Sequence, residues 1–136
     1  MEDDCIFCRI VKGEIPCSKI YENEKVIAFL DIAPVNKGHA LVVPKEHYKD
    51  LLEVPNEVMG EITKAAKKVA KAAVKAVGAD GFNIGQNNGK AAGQVVTHFH
   101  LHIIPRFEND GLVPWPQKKY EEGEIDKVAE TIRSIL

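Results

Sequence analysis

Three of the chain's five histidines stand at alternate positions in one run, His98-Phe99-His100-Leu101-His102-Ile103-Ile104. Alternate residues of a β-strand point to one face. The spacing therefore predicts three imidazoles along one exposed side, with Phe99, Leu101 and Ile103 on the core side of a half-buried strand. Such a row has no obvious structural purpose, and its chemistry lies in its nitrogens. A neutral imidazole attacks phosphorus or carbon, exchanges protons near neutral pH, and binds metals. From His98 to His102 the strand spans roughly 13 Å at ~3.3 Å per residue. One metal with nitrogen ligands at ~2 Å cannot readily collect all three. The three histidines therefore have different jobs, with at most a neighbouring pair on one metal, and a centre built from histidines alone is the weaker reading. His100, in the middle, has the position for a nucleophile, and His102 could protonate a leaving group. The loop just ahead holds Gly89, Gly93 and Gln94, whose backbone N–H groups could approach a phosphate.

A second chemical cluster is Cys5-x-x-Cys8, the spacing of a metal knuckle. A redox pair and two buried thiols are its rivals. A thioredoxin-like pair follows a strand in a βαβ unit, and none is visible here. Two further ligands would complete a tetrahedral Cys₂His₂ zinc site. The acidic start Met1-Glu2-Asp3-Asp4 lacks the apolar stretch of a signal peptide. That start predicts a cytoplasmic, reducing setting, in which Cys5, Cys8 and Cys17 form no structural disulfides.

The elements that must position these groups follow from patterning. A chain of 136 residues, 45% hydrophobic and 28% charged, is expected to form one soluble α+β domain across residues 1–136. Its net charge of −2 gives no electrostatic reason to expect nucleic acid or an anionic membrane as partner. The longest apolar runs, 26–30 and 40–43, are too short to span a bilayer. Residues 5–11 read as a short helix or turn within an N-terminal segment, 1–13. Residues 19–21 and 26–32 read as an antiparallel pair, and 39–43 as a third strand stopping at Pro44. Residues 55–77 form the long helix, with Val58, Ile62, Ala65, Val69, Ala73 and Ala76 at three- and four-residue spacing. Lys64, Lys67, Lys68, Lys71 and Lys75 take the other face, read as solvated scaffold. Residues 81–86 and 95–104 are strands four and five, the last ended by Pro105. A tail, 106–136, carries Trp115 and a short helix over 124–135. Hairpin-length links between strands, with helices inserted as blocks, predict a five-stranded antiparallel sheet.

The run resembles the signature of the histidine-triad (HIT) nucleotide-binding family, zinc-containing members in particular. The likeness extends through Cys5-Ile6-Phe7-Cys8-Arg9-Ile10, Ala28-Phe29-Leu30-Asp31-Ile32, residues 39–47 and Gly93-Gln94, and covers roughly residues 5 to 106. It implies a homodimer whose subunits join their sheets, and a site for a purine nucleotide or nucleoside phosphate derivative. It further implies hydrolysis or transfer at the α-phosphorus through a nucleotidyl-histidine. His100 would be the nucleophile, oriented by the His98 carbonyl, and His102 would contact the phosphate and help the leaving group depart. Asp31 would hold the ribose and Ile32 the base, with Asn87, Gly93, Gln94 and the Val95 backbone around the phosphate and His39 lining the pocket. Valine at 95 stands where the phosphoramidate-cleaving branch often has serine, leaving only a backbone donor. The same resemblance adds His47 and His98 to Cys5 and Cys8 as ligands of a structural zinc. A nucleotide-binding regulatory protein with incidental catalysis, and a metalloenzyme with catalytic zinc on the histidine strand, are the competing functions.

Overall fold

The computed structural model describes residues 2–136. Its centre is a five-stranded, wholly antiparallel sheet built from β1 (Lys19–Glu22), β2 (Val26–Leu30), β3 (Ala40–Pro44), β4 (Gly81–Gly85) and β5 (Leu101–Arg106). The spatial order is β1-β2-β3-β5-β4. The helices are α1 (Ile6–Val11), α2 (Asn56–Val77) and α3 (Glu124–Ile135). Among the described residues, no helix is long and apolar enough to cross a membrane.

β2 and β3 read as unbroken apolar runs because both of their faces are covered. Val26, Ala28, Ala40 and Val42 meet Ile62, Ala65, Ala66, Val69 and Ala70 of α2. Ile27, Phe29, Leu41 and Val43 instead face the N-terminal segment around Cys5, Phe7 and Cys8. The helix reads as expected: Pro55 precedes its first turn, and Gly78 ends it in the left-handed region at φ 68°. Ala76, expected on the apolar stripe, is exposed, on an open groove between the end of α2 and β1 and β2.

The fifth strand differs most from the sequence expectation. Its ladder starts at Leu101, since β3 ends its pairing at Val42↔Leu101 and β4 at Gly85↔His102. Upstream the backbone finds other partners: the Phe99 N–H donates to the Tyr48 carbonyl at 2.7 Å. The side-chain alternation nevertheless continues through 98–103. Phe99 and Ile103 are fully buried in the α2 core, while the histidines take the opposite face. Nor does Pro105 end the strand. It pairs with Phe82 of β4, and its carbonyl, on the side where β3 has stopped, accepts from Asn36 Nδ2 at 2.9 Å. Its missing N–H points to that same unpaired side, which is why a central strand tolerates proline there.

Candidate active site

The histidine face is not an exposed one: His98 is fully buried, His100 nearly so, and only His102 is partly open. α1 covers it. Phe7 sets the edge of its ring against His100, with centroids 5.1 Å apart, and packs likewise on Phe29. Beside these rings lies a cavity of about 480 Å³. Ile6, Phe7, Ile10 and Phe29 give it apolar lining, joined by Asp31 and Ile32. Asn87, Gly93, Val95, His100 and His102 line it as well. An apolar slot beside a polar, glycine-bearing loop has room for a base and a phosphate.

Each imidazole's protonation is set by its partner. His100 Nδ1 lies 2.8 Å from the His98 carbonyl, which can only accept, so Nδ1 carries the proton and Nε2 keeps its lone pair. Burial lowers the His100 pKa and keeps the ring neutral. His98 Nε2 likewise donates to the Pro44 carbonyl at 2.8 Å, which leaves Nδ1 as the bare nitrogen. Burial holds His98 down to about 4. His102 is also pushed to about 4, mainly by burial, with His100 and His39 adding to the effect.

The bare Nδ1 of His98 points into a second cluster. It lies 3.4 Å from Cys5 Sγ, 3.5 Å from Cys8 Sγ and 3.2 Å from His47 Nδ1. Cys8 Sγ and His47 Nδ1 are 3.4 Å apart. Zinc bond lengths place the donors of a tetrahedral site about 3.3 to 3.8 Å from one another. The four groups thus stand close to the corners of a zinc tetrahedron. The Cys8 N–H donates to Cys5 Sγ at 3.4 Å, as a knuckle requires. Burial pushes the Cys5 thiol up, so a neighbouring cation is what would let it ionise.

The structure therefore brings together all four expected metal residues, and Asp31, Ile32, Asn87, Gly93, Val95, His100 and His102 around one cavity. Two expected residues sit elsewhere. The Gln94 side chain is buried and spent on anchoring the loop, accepting from the Gly89 N–H at 2.9 Å and donating to the Lys49 carbonyl at 2.7 Å. His39 is buried behind His102 instead of lining the wall. Sequence reasoning missed Ile6, Phe7, Ile10 and Phe29 as cavity walls. Their signal was present: 6, 7 and 10 share one face of a helical turn, and Phe29 alternates with the core-facing Ala28.

A model of the HIT domain matches residues 12–109. The adenosine 5'-monophosphoramidase of Schizosaccharomyces pombe is 48% identical over 134 residues, 97% of this chain and 98% of the relative. An Arabidopsis thaliana adenylylsulfatase is 42% identical over 136 residues, 100% of this chain and 69% of the relative. The crystal structure of a zinc-bound histidine triad family protein from Mycobacterium smegmatis superimposes with a TM-score of 0.77. It covers 98% of each chain, at 38% identity.

Proposed function

The chain belongs to the histidine-triad (HIT) family, and from that membership we propose that it cleaves a purine nucleoside phosphate derivative at the α-phosphorus. The observation that carries the reading is the His100–His98 hydrogen bond. It turns a neutral, lone-pair-bearing Nε2 away from the main chain, on a residue that walls the cavity. Nε2 attacks the α-phosphorus, the bond to the leaving group breaks, and that group departs with the bonding electrons, an amine leaving group taking its proton from solvent. A nucleotide is then held on His100 until water, or another acceptor, displaces it. The Asp31 carboxylate accepts from the ribose hydroxyls, the apolar lining takes the base, and the loop at 93–95 offers backbone N–H groups to the phosphate.

Relatives at this identity carry the names of a phosphoramidase and of an adenylylsulfatase. Both activities release AMP from an adenylyl group bearing a different leaving group. A panel of adenosine phosphoramidate, adenylyl sulfate and a dinucleoside polyphosphate therefore ranks the leaving groups. Replacing His100 by Ala should abolish turnover on every member while leaving nucleotide affinity within about threefold, since only the transition state loses a partner. Normal turnover by that variant would refute the nucleophile.

The four-residue cluster fits Zn²⁺, with Cys5, Cys8, His47 and His98 as ligands. Four protein ligands leave no open position, so the ion is structural and ties the N-terminal segment to His98. The exposed edge strand β4, with Phe82 and Ile84 on its surface, supports a homodimer that continues the sheet. Three unpaired cysteines suit a reducing compartment, which supports a cytoplasmic setting.

A further inference from the structure

His39 lies too deep to touch a nucleotide, yet both of its ring nitrogens are engaged. The Val35 N–H donates to His39 Nδ1 at 3.0 Å, so that nitrogen carries no proton. A neutral imidazole then has its proton on Nε2. His39 Nε2 is 2.9 Å from His102 Nδ1 and must be the donor, which makes His102 Nδ1 the acceptor. His102 is thereby left with its own proton on Nε2. We propose that His39 is a positioning residue that fixes the tautomer and ring orientation of His102, so that His102 presents an Nε2–H donor to the substrate's phosphoryl group.

The consequence for the chemistry is specific. The groups facing His102 are His39, His100 and the Asp31 carboxylate, which lies 3.7 Å from His39 Nε2. His102 is neutral, and a neutral imidazole N–H is too weak an acid to surrender its proton. It therefore acts by hydrogen bonding to a phosphoryl oxygen as charge builds there. In the opposite tautomer His102 would turn a bare nitrogen toward an anionic phosphate, which repels it. The loop 31–39 serves this arrangement. It folds tightly enough for the Val35 amide to reach back to His39, and the His39 N–H closes on the Asn36 carbonyl at 3.0 Å. The role rests on the proposed cleavage at the α-phosphorus, but the tautomer itself does not.

The test has two arms. Long-range ¹H–¹⁵N correlation spectra of the imidazoles in the unliganded wild-type protein should show His102 as the Nε2–H tautomer and His39 likewise. An Nδ1–H tautomer at His102 overturns the proposal, whatever the protein's activity. In kinetics with adenosine phosphoramidate, His39→Leu should lower kcat by about tenfold or more with KM within about threefold, as expected when a transition-state donor loses its aim. His39→Gln, whose amide N–H can occupy the place of Nε2–H, should restore kcat to within about threefold of wild type. An unchanged kcat in His39→Leu, or no rescue by His39→Gln when both variants fold, overturns it. Wild-type protein that turns over nothing refutes the proposed function while leaving the tautomer assignment standing.

Discussion

A single atom decides what each histidine can do, and in every case the sequence is silent about that atom. The partners are main-chain groups: the carbonyl of His98 for His100, the carbonyl of Pro44 for His98, and the amide of Val35 for His39. Spacing alone made the middle histidine the candidate nucleophile. The role of His39 was not legible, because its partners come together only when loop 31–39 folds. Burial of these rings has a pH consequence. The pKa values of His98 and His102 are both held near 4, against 6.5 for a free imidazole. Between those values the unfolded chain takes up protons that the folded one refuses. Stability should therefore be level above about pH 6.5 and fall as pH drops toward 4. Thermal melts across that window should show the decline, and His102→Asn, which leaves His98 in place, should make it shallower. An equally steep fall in that variant would show that His102 does not contribute.

At the scale of elements, patterning located the five strands and the three α-helices, most clearly β2 and β3, whose two faces are both buried, while the 3-10 turn at Lys90–Ala92 reads as loop. Boundaries were misjudged where pairing, not patterning, sets the end. The ladder of β5 begins six residues later than the alternation that begins at Val95, since its neighbours have not yet arrived. Pro105 stays in the strand because its amide side has no neighbour to serve. One turn residue binds these elements together. Gly38 sits at φ +89°, and a Cβ there would lie 3.1 Å from Val77 Cγ1 and 3.2 Å from Pro105 Cγ. Gly38→Ala should cost about 1–3 kcal/mol from backbone strain and crowding, read as a lowered Tm. A Tm within a degree of wild type would mean that α2 and β5 yield more easily than their packing implies.

At the scale of the whole molecule, two features bear on assembly. The first is the metal cluster, in which His98 contributes its ring to the proposed zinc and its carbonyl to His100. Stripping zinc with a strong chelator should lower Tm by several degrees and slow turnover as well, because one residue serves both centres. If metal analysis finds no zinc and the chelator leaves Tm unchanged, the structural metal is refuted. The second is the bare edge of β4. Ile84→Lys should shift the mass measured by light scattering from dimer to monomer, since a charge on that edge opposes continued pairing. A dimer that persists would place the interface elsewhere. The sequence carried a direct sign of the metal cluster but none of the dimer. The cysteine spacing named half of a metal site, and the family resemblance supplied the other half and the dimer.

The strict alternation along 98–103 also bears on how the protein can fail. Odd positions plug the core and even positions hold the reactive rings, so a slip of one residue would exchange the two sets. The slipped chain would bury three imidazoles against α2 and drive Phe99 and Ile103 into the metal and cavity side beneath α1. Errors of this kind cannot persist as well-folded but inert molecules. They would be removed by aggregation or proteolysis, so impaired batches should lose yield while the surviving molecules keep their full specific activity.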